Sequence, residues 1–283
     1  MTLSPRQVKE LLDEYELTPS RALGQNFVVD PNTVRRIAAL AGVGPGDRVV
    51  EVGPGLGSLT LALAETGAAV TAVEVDRHLI PALRSVVEPV GARVVEGDAR
   101  KVDWSEVLAG GDRWALVANL PYNIATPLVL DLLVGVPAIE RMLVMVQREV
   151  GERLAAHVGD AAYGIPSVKV AWWGTAAVVG RVPPTVFLPQ PKVESALVRI
   201  VRHPDGPPVD AGTDPDVDVD RERLFHLVDA GFGQRRKMLR RSLAGLVDPE
   251  AFGAAGVRPE ARAEELDLAA WARLTAAAAT MGA

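Results

Sequence analysis

Apolar and polar positions divide this chain into stretches of different period. The opening "LSPRQVKELLDEYEL" predicts a helix, with Ser4 as its N-cap and Pro5 at its first position. A loop follows, and Asp30-Pro31 starts a second helix over "PNTVRRIAALAG". From about residue 47 the pattern alternates. Short apolar runs "DRVVEVG", "AAVTAVEVD", "ARVVEGDA", "WALVANLPY" and "MLVMVQ" read as strands. Between them, "LGSLTLALAETG" and "RHLIPALRSVVEPVG" read as helices, the first closed by glycine. Such alternation predicts a mostly parallel sheet with helices on both faces. Two later runs, "TAAVVGRV" and "SALVRIVRH", are expected to pair antiparallel. The proline-rich "FLPQPKVE" between them should be extended and stiff. After 220 the pattern is that of short helices only. The expected organisation is an α/β domain over 1–204, a Pro/Gly/Asp-rich linker over 205–220, and a small helical domain over 221–283.

Charge changes this picture locally rather than globally. The formal net charge is −6, which does not announce a nucleic-acid binder. Yet "HPDGPPVDAGTDPDVDVD" (203–220) carries six aspartates and no Lys or Arg, while "QRRKMLRR" (234–241) carries five cations and no acid. Arg235, Arg236, Lys237, Arg240 and Arg241 therefore form a local positive surface suited to phosphates. Lys192 is either a solvated charge or a further phosphate contact. No cysteine is present, which excludes disulfides, thiolate metal sites and a cysteine nucleophile; four scattered histidines make no metal-ligand pattern, so no metal is expected. No apolar run is long enough to span a bilayer and no signal-like segment opens the sequence, so the expected address is cytoplasmic, without a membrane partner.

Candidate chemistry sits at the strand ends. "EVGPGLGSLT" (51–60) joins a strand to a helix, with Gly53, Gly55 and Gly57 allowing a tight turn and close approach to a ligand. The dinucleotide fingerprint would need glycine at 58, where Ser stands. The G-x-G-x-G spacing with Glu51 leading suits S-adenosylmethionine (AdoMet) better than NAD. Glu74 and Asp76 end the second strand. Glu74 is placed to accept both ribose hydroxyls, and Asp76 can cap the next helix. Asp98, at the end of the third, either accepts from an adenine amino group or is a turn aspartate. The fourth strand ends in "NLPYN" (119–123). The Asn119 side-chain oxygen and the Leu120 carbonyl can grip the two hydrogens of an exocyclic amine and localise its lone pair. Pro121 sets the turn, and Tyr122 offers a face for an unstacked base. Asn123 reads as a turn amide, and Trp172 and Trp173 read as core.

These residues resemble a family. "EVGPGLGSLT" with "NLPYNIATP" is similar to the RNA adenine N6-methyltransferases. "LGQNFVVDP" (23–31), "FLPQPKVESALVRI" (187–200) and "GFGQRRKMLRRSL" (231–243) narrow the likeness to the bacterial 16S rRNA adenine N6,N6-dimethyltransferases. The motifs stand in the family's order over roughly 20–265. The resemblance implies a Rossmann-like seven-stranded AdoMet-dependent fold with a helical C-terminal domain. It implies cofactor contacts at Gln25, Asn26, Val28, Gly53, Glu74, Asp98 and Asn119, a base pocket at Asn119 to Tyr122 with Phe187 as a second stacking face, and a basic C-terminal helix. The product would be S-adenosylhomocysteine. The substrate would be 16S rRNA in immature 30S particles, met by a monomeric enzyme that also serves assembly. The related 23S rRNA dimethyltransferases of macrolide resistance are the alternative. Where the family often has two basic residues ahead of the Gly-Gln-Asn-Phe run, this chain has only Arg21. The acidic segment 205–220 looks longer than usual and has no expected catalytic role.

Overall fold

The computed structural model describes residues 2–20, 22–208 and 219–280, so Arg21 and most of the acidic segment lie outside the described residues. Helix α1 (Pro5–Glu14) begins at Ser4, which forms a capping box with Gln7. A two-residue strand, β1 (Phe27–Val28), precedes α2 (Pro31–Ala41), whose first turn is capped by the Asp30 carboxylate accepting the Thr33 N–H at 2.8 Å. The alternating region follows as β2 (Arg48–Val52), α3 (Ser58–Glu65), β3 (Ala69–Glu74), α4 (Ile80–Val87), β4 (Arg93–Glu96), α5 (Trp104–Val107), β5 (Trp114–Asn119), α6 (Ala125–Gly135), β6 (Ile139–Gln147) and α7 (Arg148–Leu154). Then come α8 (Ile165–Trp173), β7 (Gly174–Val182), β8 (Phe187–Leu188) and β9 (Ser195–Arg202). Four helices close the chain: α9 (Arg221–Gly233), α10 (Leu239–Ser242), α11 (Pro249–Ala254) and α12 (Leu268–Thr280).

The main sheet has seven strands in the order β4-β3-β2-β5-β6-β9-β7. β4, β3, β2, β5 and β6 run parallel, and β9 runs antiparallel to β6. β7 flanks β9. The His203 N–H beyond the end of β9 donates to the Trp173 carbonyl before the start of β7, and Gly180 lies against Leu197, the order expected of an antiparallel pair. The chain moves outward from β2 to β3 and β4, then returns to lay β5 on the other side of β2. This reversal makes a switch point where the carboxyl ends of β2 and β5 open a crevice. β2, β3 and β5 are buried almost throughout, as strands covered on both faces must be.

Two features depart from the local reading. The "FLPQPKVE" segment is more than an extended link: its first residues form β8, which pairs antiparallel with β1 in a separate two-stranded ribbon, Val28 opposite Phe187. The helical domain is also discontinuous. One compact unit comprises 1–152 and 177–202; the other comprises 153–176 and 203–283. The expected boundary at 204 is corrected accordingly, because α8 supplies Val168 and Trp172 to the core built by Leu224, Leu227, Trp271 and Leu274. Trp172 is core as expected. Trp173 is partly buried beneath the Arg221 guanidinium, 5.4 Å from its ring centroid.

Candidate active site

The crevice belongs wholly to the first unit. It encloses about 940 Å³ of space not filled by atoms, part of it open to solvent, above the ends of β2, β3 and β5. The turn after β2 forms its floor. Gly53, Gly55 and Gly57 all have positive φ, at 69°, 59° and 88°. The last two are also fixed by crowding: a Cβ on Gly55 would stand 2.7 Å from the Phe27 ring, and one on Gly57 2.5 Å from Val87 Cγ1. Glycine here satisfies both the left-handed backbone and the close packing of turn, β1 and α4.

Two carboxylates are buried at this floor. Glu51 is 1% exposed and accepts the Thr60 hydroxyl at 2.6 Å. Burial pushes its carboxyl up to about 8; the Thr60 hydrogen bond opposes that shift, and the neighbouring charge of Glu74 adds to it. Glu74, 4% exposed, accepts the Gly55 N–H at 3.1 Å and the Asp76 N–H at 2.9 Å. Burial raises its carboxyl too, against those two N–H donors. The donors holding this pair in the structure are a hydroxyl and amides, so a bound ligand that brings positive charge and further hydroxyls would lower the cost of burying them. A sulfonium nucleoside such as AdoMet has both, and the glycine turn leaves room for it; these residues fit that group. Glu74, Gly53 and Gly55 would hold it, with Asp98 at the rim. Asp98 is a turn aspartate, accepting the Arg100 N–H at 2.9 Å, that also stands at the crevice.

The roof comes from 23–28 and from the segment after β5. The Asn119 side-chain amide donates to the Asn26 carbonyl at 3.0 Å. A carbonyl oxygen carries no proton, so the amide nitrogen must face it, and Asn119 Oδ1 is left as an acceptor for something else. Leu120 buries its side chain and gives its N–H to the Met145 carbonyl at 3.0 Å, so its own carbonyl is its remaining polar group. Pro121 packs under Gly24, the site where a Cβ would stand 3.3 Å from the proline Cβ. Tyr122 is half-buried and its hydroxyl shares a 2.8 Å hydrogen bond with Ser195 Oγ. Asn119, Leu120, Pro121 and Tyr122 all line the crevice together with Gln25, Asn26, Val28, Glu51, Gly53, Gly55 and Glu74. One cavity thus brings together all of Asn119 to Tyr122 and every expected cofactor contact except Gly57.

A family model described as ribosomal RNA adenine dimethylase matches residues 18–280. The chain belongs to that family. It is an AdoMet-dependent methyltransferase acting on ribosomal RNA adenine. Similar curated proteins include the ribosomal RNA small subunit methyltransferase A of Cutibacterium acnes, 49% identical across 99% of this chain and 96% of that protein. That of Kineococcus radiotolerans is 48% identical across 97% and 91%. Among solved structures, the 23S rRNA methyltransferase ErmE matches with TM-score 0.66 and 27% identity, over 90% of this chain and all of that one. A dimethyladenosine transferase from Plasmodium falciparum shares the fold, with TM-score 0.68 and 23% identity over 87% and 94%.

Three sequence expectations for this dimethylase need correction. Phe187 does not face the crevice: it is 4% exposed in the core beside Val28 and Val182, held there by the pairing of β8 with β1. Gly57 does not line the crevice wall itself; it caps α3, which it starts with its carbonyl accepting the Leu61 N–H. The basic segment is not one helix. Residues 234–238 are turn and coil, because the Leu239 and Arg240 N–H groups bond to the Ala261 and Pro259 carbonyls instead of continuing a helix from α9. Of its cations, Arg235 is engaged by Glu264 at 2.6 Å and by the Ala161 carbonyl, and Arg240 lies 3.5 Å from Glu260. Arg236, Lys237 and Arg241 are exposed, as is Lys192 in the first unit.

Several contacts between these elements left no sign in the sequence. Gln25 donates to Asp76 at 2.8 Å, tying the roof to the end of β3. Phe27 packs over the glycine turn. Thr60 holds Glu51, and Ser195 holds Tyr122. Only Thr60 had a local signal, being nine residues from its partner across one strand–turn–helix unit. Among the described residues no group of His, Asp and Glu is arranged to hold a metal ion, and no helix is long and apolar enough to cross a membrane.

Proposed function

We propose that this enzyme transfers methyl groups from AdoMet to N6 of two adjacent adenines in a loop near the 3′ end of 16S rRNA, giving N6,N6-dimethyladenosine, in immature 30S particles. The observation that carries the reading is the orientation of Asn119: its NH2 is committed to Asn26, so Oδ1 stands as an acceptor in the same crevice as the paired carboxylates. Oδ1 and the Leu120 carbonyl together match the two hydrogens of one exocyclic amine. Accepting both disfavours conjugation of the nitrogen lone pair with the ring and leaves it free to attack. Tyr122 supports the flipped base, and Pro121 fixes the angle of the grip. AdoMet, when bound, supplies a methyl group already activated by the sulfonium. The protein therefore has only to position amine and methyl in line, without a metal or a covalent nucleophile. The amine's surplus proton leaves to water. The small-subunit assignment is supported by relatives of that name at 45–49% identity, against 27% for the 23S methyltransferase. As part of the same reading, the chain works as a cytoplasmic monomer, with Arg236, Lys237 and Arg241 meeting RNA phosphates, and it contributes to small-subunit assembly.

The test is mass mapping of methylated nucleosides after incubating unmethylated 30S particles and 50S-derived RNA with this protein and AdoMet. Dimethyladenosine at neighbouring positions of 16S rRNA is expected. Methylation confined to the 50S-derived RNA would overturn the assignment.

A further inference from the structure

The Tyr122 hydroxyl has no part in stacking a base, since a phenyl ring would stack as well. It is nonetheless paired, at 2.8 Å, with a serine hydroxyl that is 0% exposed. That serine is the first residue of β9, and its place is set by the pairing of β9 with β6. Ser195 stands opposite Gln147 in the β6–β9 register. The Arg148 N–H donates to the Glu194 carbonyl at 2.9 Å, and the Arg148 guanidinium meets the Glu194 carboxylate at 3.1 Å. β6 in turn takes the Leu120 N–H on its Met145 carbonyl. Ser195 Oγ is thus a fixed point on the sheet, joined to the Tyr122 ring two residues beyond Leu120. The Tyr122 hydroxyl is held as a neutral phenol, since burial raises its pKa against the Ser195 bond.

We propose that Ser195 is a positioning residue for methyl transfer: its hydroxyl fixes the rotation of the Tyr122 ring, so that the target base stacks with its amine at Asn119 Oδ1 and the Leu120 carbonyl. The inference rests on the base-stacking reading of Tyr122. It explains why a buried serine ends the "FLPQPKVES" run, at a position that does not line the crevice. Pre-organising one ring removes a rotation that would otherwise have to be frozen in the transition state.

The test is a double-mutant cycle of Ser195→Ala and Tyr122→Phe, with Tyr122→Ala as a third arm, read on unmethylated 30S particles with tritiated AdoMet. Each single hydroxyl deletion should lower kcat by about fivefold, the effect of one lost neutral hydrogen bond. AdoMet affinity by calorimetry should not change, nor should KM for AdoMet. The double variant should be no slower than either single one, because both remove the same bond. Wild-type turnover in Ser195→Ala, or a double variant whose losses multiply, would overturn the role of Ser195, the second result marking a general support of β9 that would also lower the melting temperature. If Tyr122→Ala itself turned over normally, the stacking reading would fall and the proposal with it. A slow Tyr122→Ala beside a normal Ser195→Ala would sink the serine alone.

Discussion

Glu51 and Glu74 place two acidic side chains at the floor of the crevice; Arg236, Lys237 and Arg241 place three cations in the helical unit. Both acids are buried, and the donors that meet them come from the turns and helix that follow β2 and β3. The cations are exposed, in a turn and a four-residue helix, and two of their neighbours, Arg235 and Arg240, pair with acids of their own unit. Burial makes the first region geometrically strict and sensitive to single atoms. Exposure makes the second a matter of summed charge, screened by salt and tolerant of detail. One region can therefore choose a ligand by shape, and the other can only attract a class of ligand.

The sharpest way to break the strict region is to fill it. Gly57→Ala puts a Cβ 2.5 Å from Val87 in a left-handed backbone, so strain and overpacking together should cost roughly 2–5 kcal/mol of stability. A urea-unfolding midpoint equal to that of the wild type would show that the turn relaxes freely. Next in size is Glu74→Ala, which removes the group proposed to accept the ribose hydroxyls. AdoMet affinity should drop well over tenfold by calorimetry, and the ligand-free protein should lose some stability as well, because the Gly55 and Asp76 N–H groups lose their acceptor. Unchanged affinity would remove Glu74 from the site.

Protonation tests the same strictness without touching the shape. Glu51 holds its proton more tightly folded, near 8, than in an unfolded chain, near 4.5. Its contribution to stability is therefore fully present below about pH 4.5 and is lost as pH rises through about 8, the reverse of an exposed, salt-bridged carboxylate. The expected loss is on the order of a few kcal/mol between pH 5 and pH 9. Glu51→Gln should flatten that decline. A decline of the same size in the Gln variant would assign it to other groups.

The contrast also marks what could be read from the chain alone. The glycine turn, Glu51 and Glu74 were legible because a strand–turn–helix unit encodes its own geometry within a few tens of residues, and "NLPY" because it ends a strand of the same sheet. Long-range pairings defeated the local reading. Phe187 sits between residues that suggest exposure, yet β8 is drawn to β1 by contacts some 160 positions away in sequence. The apolar helix α8 showed its buried face but not which core that face joins. The run of arginines and lysine at 235–241 has helical propensity, and backbone bonds from 239 and 240 to the 259–261 segment override it. The Tyr122–Ser195 bond, 73 residues apart, left no local trace.

The tolerant region yields the smaller effects, and they separate its cations. Arg236→Gln, Lys237→Gln and Arg241→Gln together should weaken binding to 30S particles and reduce the salt slope of log K by up to about 2–3, at roughly 0.7–0.9 per phosphate contact. An unchanged slope would show that this turn faces away from RNA. Arg235→Gln should do less. Its guanidinium is already occupied by Glu264 at 2.6 Å and by the Ala161 carbonyl, so it has little charge to offer a phosphate. The pair is about half exposed, and its loss should cost no more than about 1 kcal/mol of stability, with the salt slope moving by much less than one contact. A drop in slope as large as that of any exposed cation would mean that RNA displaces Glu264. Arg235 would then belong with the binding surface, and its ion pair would be a resting contact that the substrate opens.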